Sequence, residues 1–71
     1  MVNSEKLKEK IDETGVSISH LARKSGMTRE SFYNKMNNET EFKVSEMLKI
    51  SKALNISFEE REEIFFADDV N

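Results

Sequence analysis

The stretch from Ser17 to Asn37 restricts the possible folds more than any other part of this chain. Leu21-Ala22, Gly26-Met27 and Phe32 recur at spacings suited to two short helices joined by a tight turn. Ser17 and Thr28 each stand where a helix begins, and both are residue types that cap one. Ala22 is small enough for a close crossing, and Gly26 accepts the positive φ that stops the first helix. Met27 is the apolar residue of the turn. Phe32 and Met36, one turn apart, anchor the second helix.

The remaining segments are also helical. Leu7 and Ile11 form a stripe in a first helix, Ser4 to Thr14, that ends at Gly15. A fourth helix covers Val44 to Leu54, with Val44, Met47, Leu48, Ile50, Ser51 and Leu54 as its apolar stripe, and Asn55 ends it. Ser57 followed by Glu60 is a capping box for a fifth helix over about 58–66. Little period-2 alternation is present, so the fold class is all-α. At 71 residues the chain is expected to form one domain over 1–71, with 1–3 and 68–71 frayed.

Composition narrows the function classes. There is no cysteine and one histidine, so neither a disulfide nor a metal cluster is expected, and no cofactor. No apolar run approaches the length of a membrane span, and no signal peptide is evident; a cytoplasmic location is expected. No small-molecule ligand is suggested either. The net charge of −3 is unevenly spread. Residues 1–56 carry ten Lys/Arg against eight Asp/Glu, whereas 57–71 carry one Arg against six acids. A mildly basic body with an acidic end remains compatible with DNA, because the contacting face decides affinity.

The run Leu21-Ala22-x-x-x-Gly26-Met27-Thr28-x-x-x-Phe32 resembles the helix-turn-helix of Cro/CI-type phage repressors, the XRE family. The downstream Ile50-Ser51-Lys52-Ala53-Leu54-Asn55-Ile56-Ser57 is similar to that family's fourth helix and following turn. The likeness covers about residues 4–66. It implies a five-helix, lambda-repressor-like domain whose helices 2 and 3 form the helix-turn-helix. It also implies a sequence-specific regulator of phage or prophage type, docked on double-stranded operator DNA.

By position, the resemblance assigns base contact to Arg29, Glu30, Tyr33 and Asn34. Arg29 has the fork for guanine, Asn34 the amide for adenine, and Glu30 an acceptor for cytosine. Phosphate contact falls to Ser17, Ser19, Thr28, Asn37, Asn38 and Lys43. Many family members carry a buried Arg–Glu pair where this chain has Ile11 and Met36, so apolar packing between these two is expected. One helix cannot bury Ile64, Phe65 and Phe66 together, so a homodimer contact at Phe65 and Phe66 is expected beside the plainer reading of a core-closing helix.

Plainer readings stand beside the others. Glu30 suits the helix dipole as well as a base, and Tyr33 can simply pack its ring on the surface. His20 reads as an exposed polar residue, and Lys6-Lys8-Lys10 as a solvated face. No nucleophile or paired acid and base points to an enzyme. The competing function is a protein-interaction module on the same fold, an antirepressor or phage accessory protein without specific DNA binding.

Overall fold

Most helix boundaries fall on residues whose local chemistry supports them. A computed structural model describes residues 1–67; the expected fraying of 68–71 lies outside the described residues. The order is α1 (Ser4–Thr14), α2 (Ile18–Ser25), α3 (Arg29–Met36), α4 (Val44–Leu54) and α5 (Phe58–Phe65), with no strand among the described residues. Asn3, Ser17, Thr28 and Ser57 each accept a hydrogen bond from the backbone three residues on. These side chains satisfy N–H groups that have no intrahelical partner. Gly15, Gly26 and Asn55 take left-handed conformations at the C-termini.

One core lies between the helices. Leu7 and Ile11 of α1, Leu21 and Ala22 of α2, and Phe32 and Met36 of α3 meet Ile50 and Leu54 of α4 and Ile64 and Phe65 of α5. Phe42, from the segment between α3 and α4, enters the same core. Its ring meets Phe32 edge-on at 5.7 Å and Phe65 edge-on at 5.4 Å. Ile11 and Met36 are both buried and line one shallow depression shared by α1, α2 and α3.

Four expectations need correction. Phe65 is only 2% exposed and belongs to the core. The fifth helix ends at Phe65, and the chain turns at Phe66, which packs partly buried against the core. The change of direction lets all three apolar residues pack, and Phe65 keeps no surface with which to meet a second copy. Phe58, 62% exposed at the start of α5, is the apolar residue of that helix that faces out. On α4, Val44 and Leu48 are exposed and do not join the buried stripe.

The third correction concerns residues 1–3. Val2 is buried, and Asn3 donates its N–H to the Ile64 carbonyl at 2.7 Å. Asn38, left-handed at φ 66°, accepts the Val2 N–H at 2.8 Å and donates back to the Val2 carbonyl at 3.0 Å. This reciprocal clasp joins the first residues to the turn after α3. Asn38→Ala removes both bonds and places a Cβ-only side chain where αL favours asparagine. It is expected to cost about 1–3 kcal/mol, read as a lower denaturation midpoint, with amide-exchange protection at Val2 falling most.

Fourth, the lysines of α1 are not all solvated. Lys6 pairs with Glu63, and Lys10 pairs with Glu60, both on α5. Lys10 also reaches Glu13 at 3.2 Å. Hydrogen bonds that Lys10 donates to Glu60 and then to Glu13 hold the Lys10 pKa above its ordinary value, and the same Lys10 contact holds Glu60 below its own. Lys8 alone of the three stays exposed without a carboxylate partner among the described residues.

Candidate nucleic-acid interface

The turn between α2 and α3 is set by two residues. Gly26 takes φ 77°, which brings the Met27 N–H to the Ala22 carbonyl at 2.9 Å. That closes α2 and reverses the chain at once. Thr28 then opens α3 by accepting the Ser31 N–H at 3.1 Å. Met27 is partly buried against the core below the turn.

With Phe32 and Met36 buried, Arg29, Tyr33, Glu30 and Asn34 follow one another on an arc that starts at the edge of the buried stripe and runs to the far side of the helix. Arg29 and Tyr33 form one i,i+4 ridge, and Glu30 and Asn34 the next. Arg29, Glu30 and Tyr33 are exposed, and Asn34 is half-buried. The Arg29 guanidinium lies over the Tyr33 ring, 5.7 Å from its centre. Such a stack restrains the arginine while leaving its edge donors facing outward.

The far end of α3 is fixed by a contact between residues that are well separated along the chain. Lys35 Nζ donates to both carboxylate oxygens of Glu46, at 2.8 and 2.9 Å. Glu46 is buried in the first turn of α4 and also accepts the Lys43 N–H at 2.8 Å. Burial pushes the Glu46 carboxyl up, but the Lys35 and Lys43 hydrogen bonds together outweigh it and hold the pKa below the ordinary glutamate value. Lys43 is thus a workable helix start despite its residue type, because the glutamate three positions on serves the orphan N–H. The lysine ammonium itself accepts nothing.

The residues expected at phosphates divide into two groups. Ser17, Ser19 and Thr28 sit at the starts of α2 and α3, where free N–H groups favour anions, and all three are exposed. The hydroxyls of Ser17 and Thr28 accept cap bonds yet keep a proton to donate. Asn37 and Lys43 are exposed on either side of the turn after α3. Asn38 is different. Its carboxamide is turned to Val2 and Ser4 and holds the fold, which removes it from the phosphate set. Arg23, which sequence reasoning passed over, is exposed and lines a shallow groove with Thr28, Ser31 and Lys35. The available signal was an arginine in the last turn of α2, next to the start of α3.

No group of His, Cys, Asp or Glu able to hold a metal occurs among the described residues, and no described helix is long and apolar enough to cross a membrane. Searches of curated proteins and of solved structures each gave no match. A family profile, the Cro/C1-type HTH DNA-binding domain, matches residues 6–63, from the first turn of α1 nearly to the end of α5. That span takes in the α2–α3 turn, the outward arc of α3 and the helices that hold them, and the chain belongs to the Cro/C1-type helix-turn-helix DNA-binding family, a family of regulators and not of enzymes.

Proposed function

We propose that this chain is a sequence-specific transcriptional regulator of phage or prophage type that lays α3 in the major groove of an operator. The observation that carries this reading is the outward arc of Arg29, Glu30, Tyr33 and Asn34 on a helix anchored by Phe32, Met36 and the Lys35–Glu46 pair. Arg29 reads guanine O6 and N7, and Asn34 reads adenine N6 and N7. Ser17, Ser19, Thr28, Lys43 and Arg23 meet phosphates on either side. Two copies occupy paired half-sites.

Selection of random duplexes by the purified protein tests this. Enrichment of a half-site is expected, with affinity falling steeply as salt rises. Arg29→Ala and Asn34→Ala should each relax preference at one base and cost about 1–3 kcal/mol of binding. A second reading, a protein-binding module, draws on the near balance of charge on α3, where Glu30 offsets Arg29 and Glu46 offsets Lys35. That reading wins if no sequence is enriched at low salt.

A further inference from the structure

The positive charge of this molecule is concentrated away from α3. Helix α2 carries His20, Arg23 and Lys24 and no acid. Helix α4 carries Lys49 and Lys52, and its one acid, Glu46, is buried on Lys35. The two helices pack together, and between them runs an open groove of about 300 Å³ lined by His20, Lys24, Lys49, Lys52 and Ala53. Lys6, Lys10 and Lys35 each hold a carboxylate, but among the described residues no carboxylate pairs with Lys24, Lys49 or Lys52. A chain with more acids than bases thus leaves three lysines together and uncompensated.

The shape of the groove decides what can enter it. His20 and Ala53 are half-buried and make its floor, and the three lysines stand exposed around them. From His20 to Lys24, and from Lys49 to Ala53, is about 6 Å along each helix. Packed helices stand about 8–10 Å apart, so the opening takes a single peptide segment and is too narrow for a duplex. Charge points the same way. A duplex brings one negative charge per about 1.7 Å along its whole length, which a chain of net charge −3 repels outside its docking face. A short acidic segment brings only the few carboxylates that the lysines can meet, and each ammonium has three donors to offer them.

We propose that the α2–α4 groove is a docking site for a short acidic peptide segment of another protein. Lys24 on one wall, and Lys49 and Lys52 on the other, take its carboxylates, and the small side chain of Ala53 lets its backbone lie close between them. Arg23, one residue before Lys24, lines a different groove with Thr28, Ser31 and Lys35, so the edge of α2 that meets α3 is not the edge that meets the partner. None of the groove-lining residues is on α3 or among those assigned to phosphates. A partner seated here therefore travels to DNA with the chain and leaves Arg29, Glu30, Tyr33 and Asn34 uncovered. The contact itself requires no DNA and is independent of the reading proposed for α3.

The test titrates the isotope-labelled chain, without DNA, with the acetylated and amidated peptide Asp-Glu-Ala-Glu-Asp, followed by the amide shifts in nuclear magnetic resonance. Shifts are expected at His20, Lys24, Lys49, Lys52 and Ala53 and not on α3. The uncharged peptide Asn-Gln-Ala-Gln-Asn should leave these amides unmoved. The K24A/K49A/K52A variant should bind the acidic peptide about tenfold more weakly, and the charge-reversed K24E/K49E/K52E should not bind it. Raising salt from about 0.05 M to about 0.5 M should weaken binding by the unaltered chain. Lys8→Glu, a reversal on the exposed side of α1, should leave it unchanged, and circular dichroism checks that every variant is folded. Shifts confined to lysines outside the groove, or folded groove variants that bind the acidic peptide as the unaltered chain does, would overturn the proposal. So would a short duplex of random sequence that displaces the peptide from the groove, which would make the groove a phosphate seat. Loss of half-site enrichment in the Arg29 and Asn34 experiment bears on the α3 reading alone.

Discussion

Glu46→Ala is expected to destabilise the protein by about 3 kcal/mol, the lower end for breaking a buried ion pair, since both side chains keep slight solvent access. The loss has two parts. Lys35 is left beside the core without its carboxylate, and the Lys43 N–H at the start of α4 loses its acceptor. Urea denaturation reads the change as a lower midpoint at constant slope. The double variant K35M/E46L should recover much of the stability, because removing both charges leaves neither unpaired. The pair also links stability to pH. The Glu46 carboxyl titrates lower in the folded chain than in the unfolded one, so its contribution is complete above the ordinary glutamate value. It is lost as pH falls through the lowered, folded value. Glu46→Gln should therefore flatten that acid limb of the stability curve.

Phe42→Ala should cost more, about 3–5 kcal/mol. For a chain of 71 residues total stability is on the order of 4–11 kcal/mol, so this variant approaches the unfolding threshold at room temperature. Phe42 belongs to no helix, yet its ring lies between Phe32 of α3 and Phe65 of α5. Truncation opens a cavity against Phe32, the residue that anchors α3. Phe42→Leu should retain most of the burial and cost less, and the cost that remains is the contribution of shape and edge-on ring contact. Thermal unfolding followed by circular dichroism measures both. The F42A protein should also bind DNA more weakly than its folded fraction predicts, because α3 loses a fixed backing.

The helix boundaries were legible in sequence because they depend on nearest neighbours. Ser17, Thr28 and Ser57 cap the helices that follow them, and Gly15, Gly26 and Asn55 end those before them. Periodicity then placed Leu7, Ile11, Leu21, Phe32, Ile50 and Leu54 inside, where they are found. What sequence could not supply was distance-spanning chemistry. Lys35 and Glu46 are eleven residues apart on different helices, and each reads as an ordinary surface charge until packing joins them. The glutamate three positions after Lys43 was the one available hint, since a capping-box acid is held close to its helix. Asn38 was assigned by its loop position, but a left-handed backbone and a nearby Val2 gave its amide another use. Three consecutive apolar residues force one outward only if the fifth helix continues through Phe66, and it ends at Phe65. At the interface, the arc on α3 followed from the positions of Phe32 and Met36 alone.

The stack of Arg29 on Tyr33 has a spectroscopic consequence. The chain contains one tyrosine and no tryptophan, so its intrinsic ultraviolet emission comes from Tyr33. That phenol lies half-open to solvent on α3, under a guanidinium whose position changes when the arginine turns to a new hydrogen-bond partner. Emission intensity and quencher access at this single ring therefore report on the surface assigned to DNA, and the native chain can be titrated with duplex without attaching a dye.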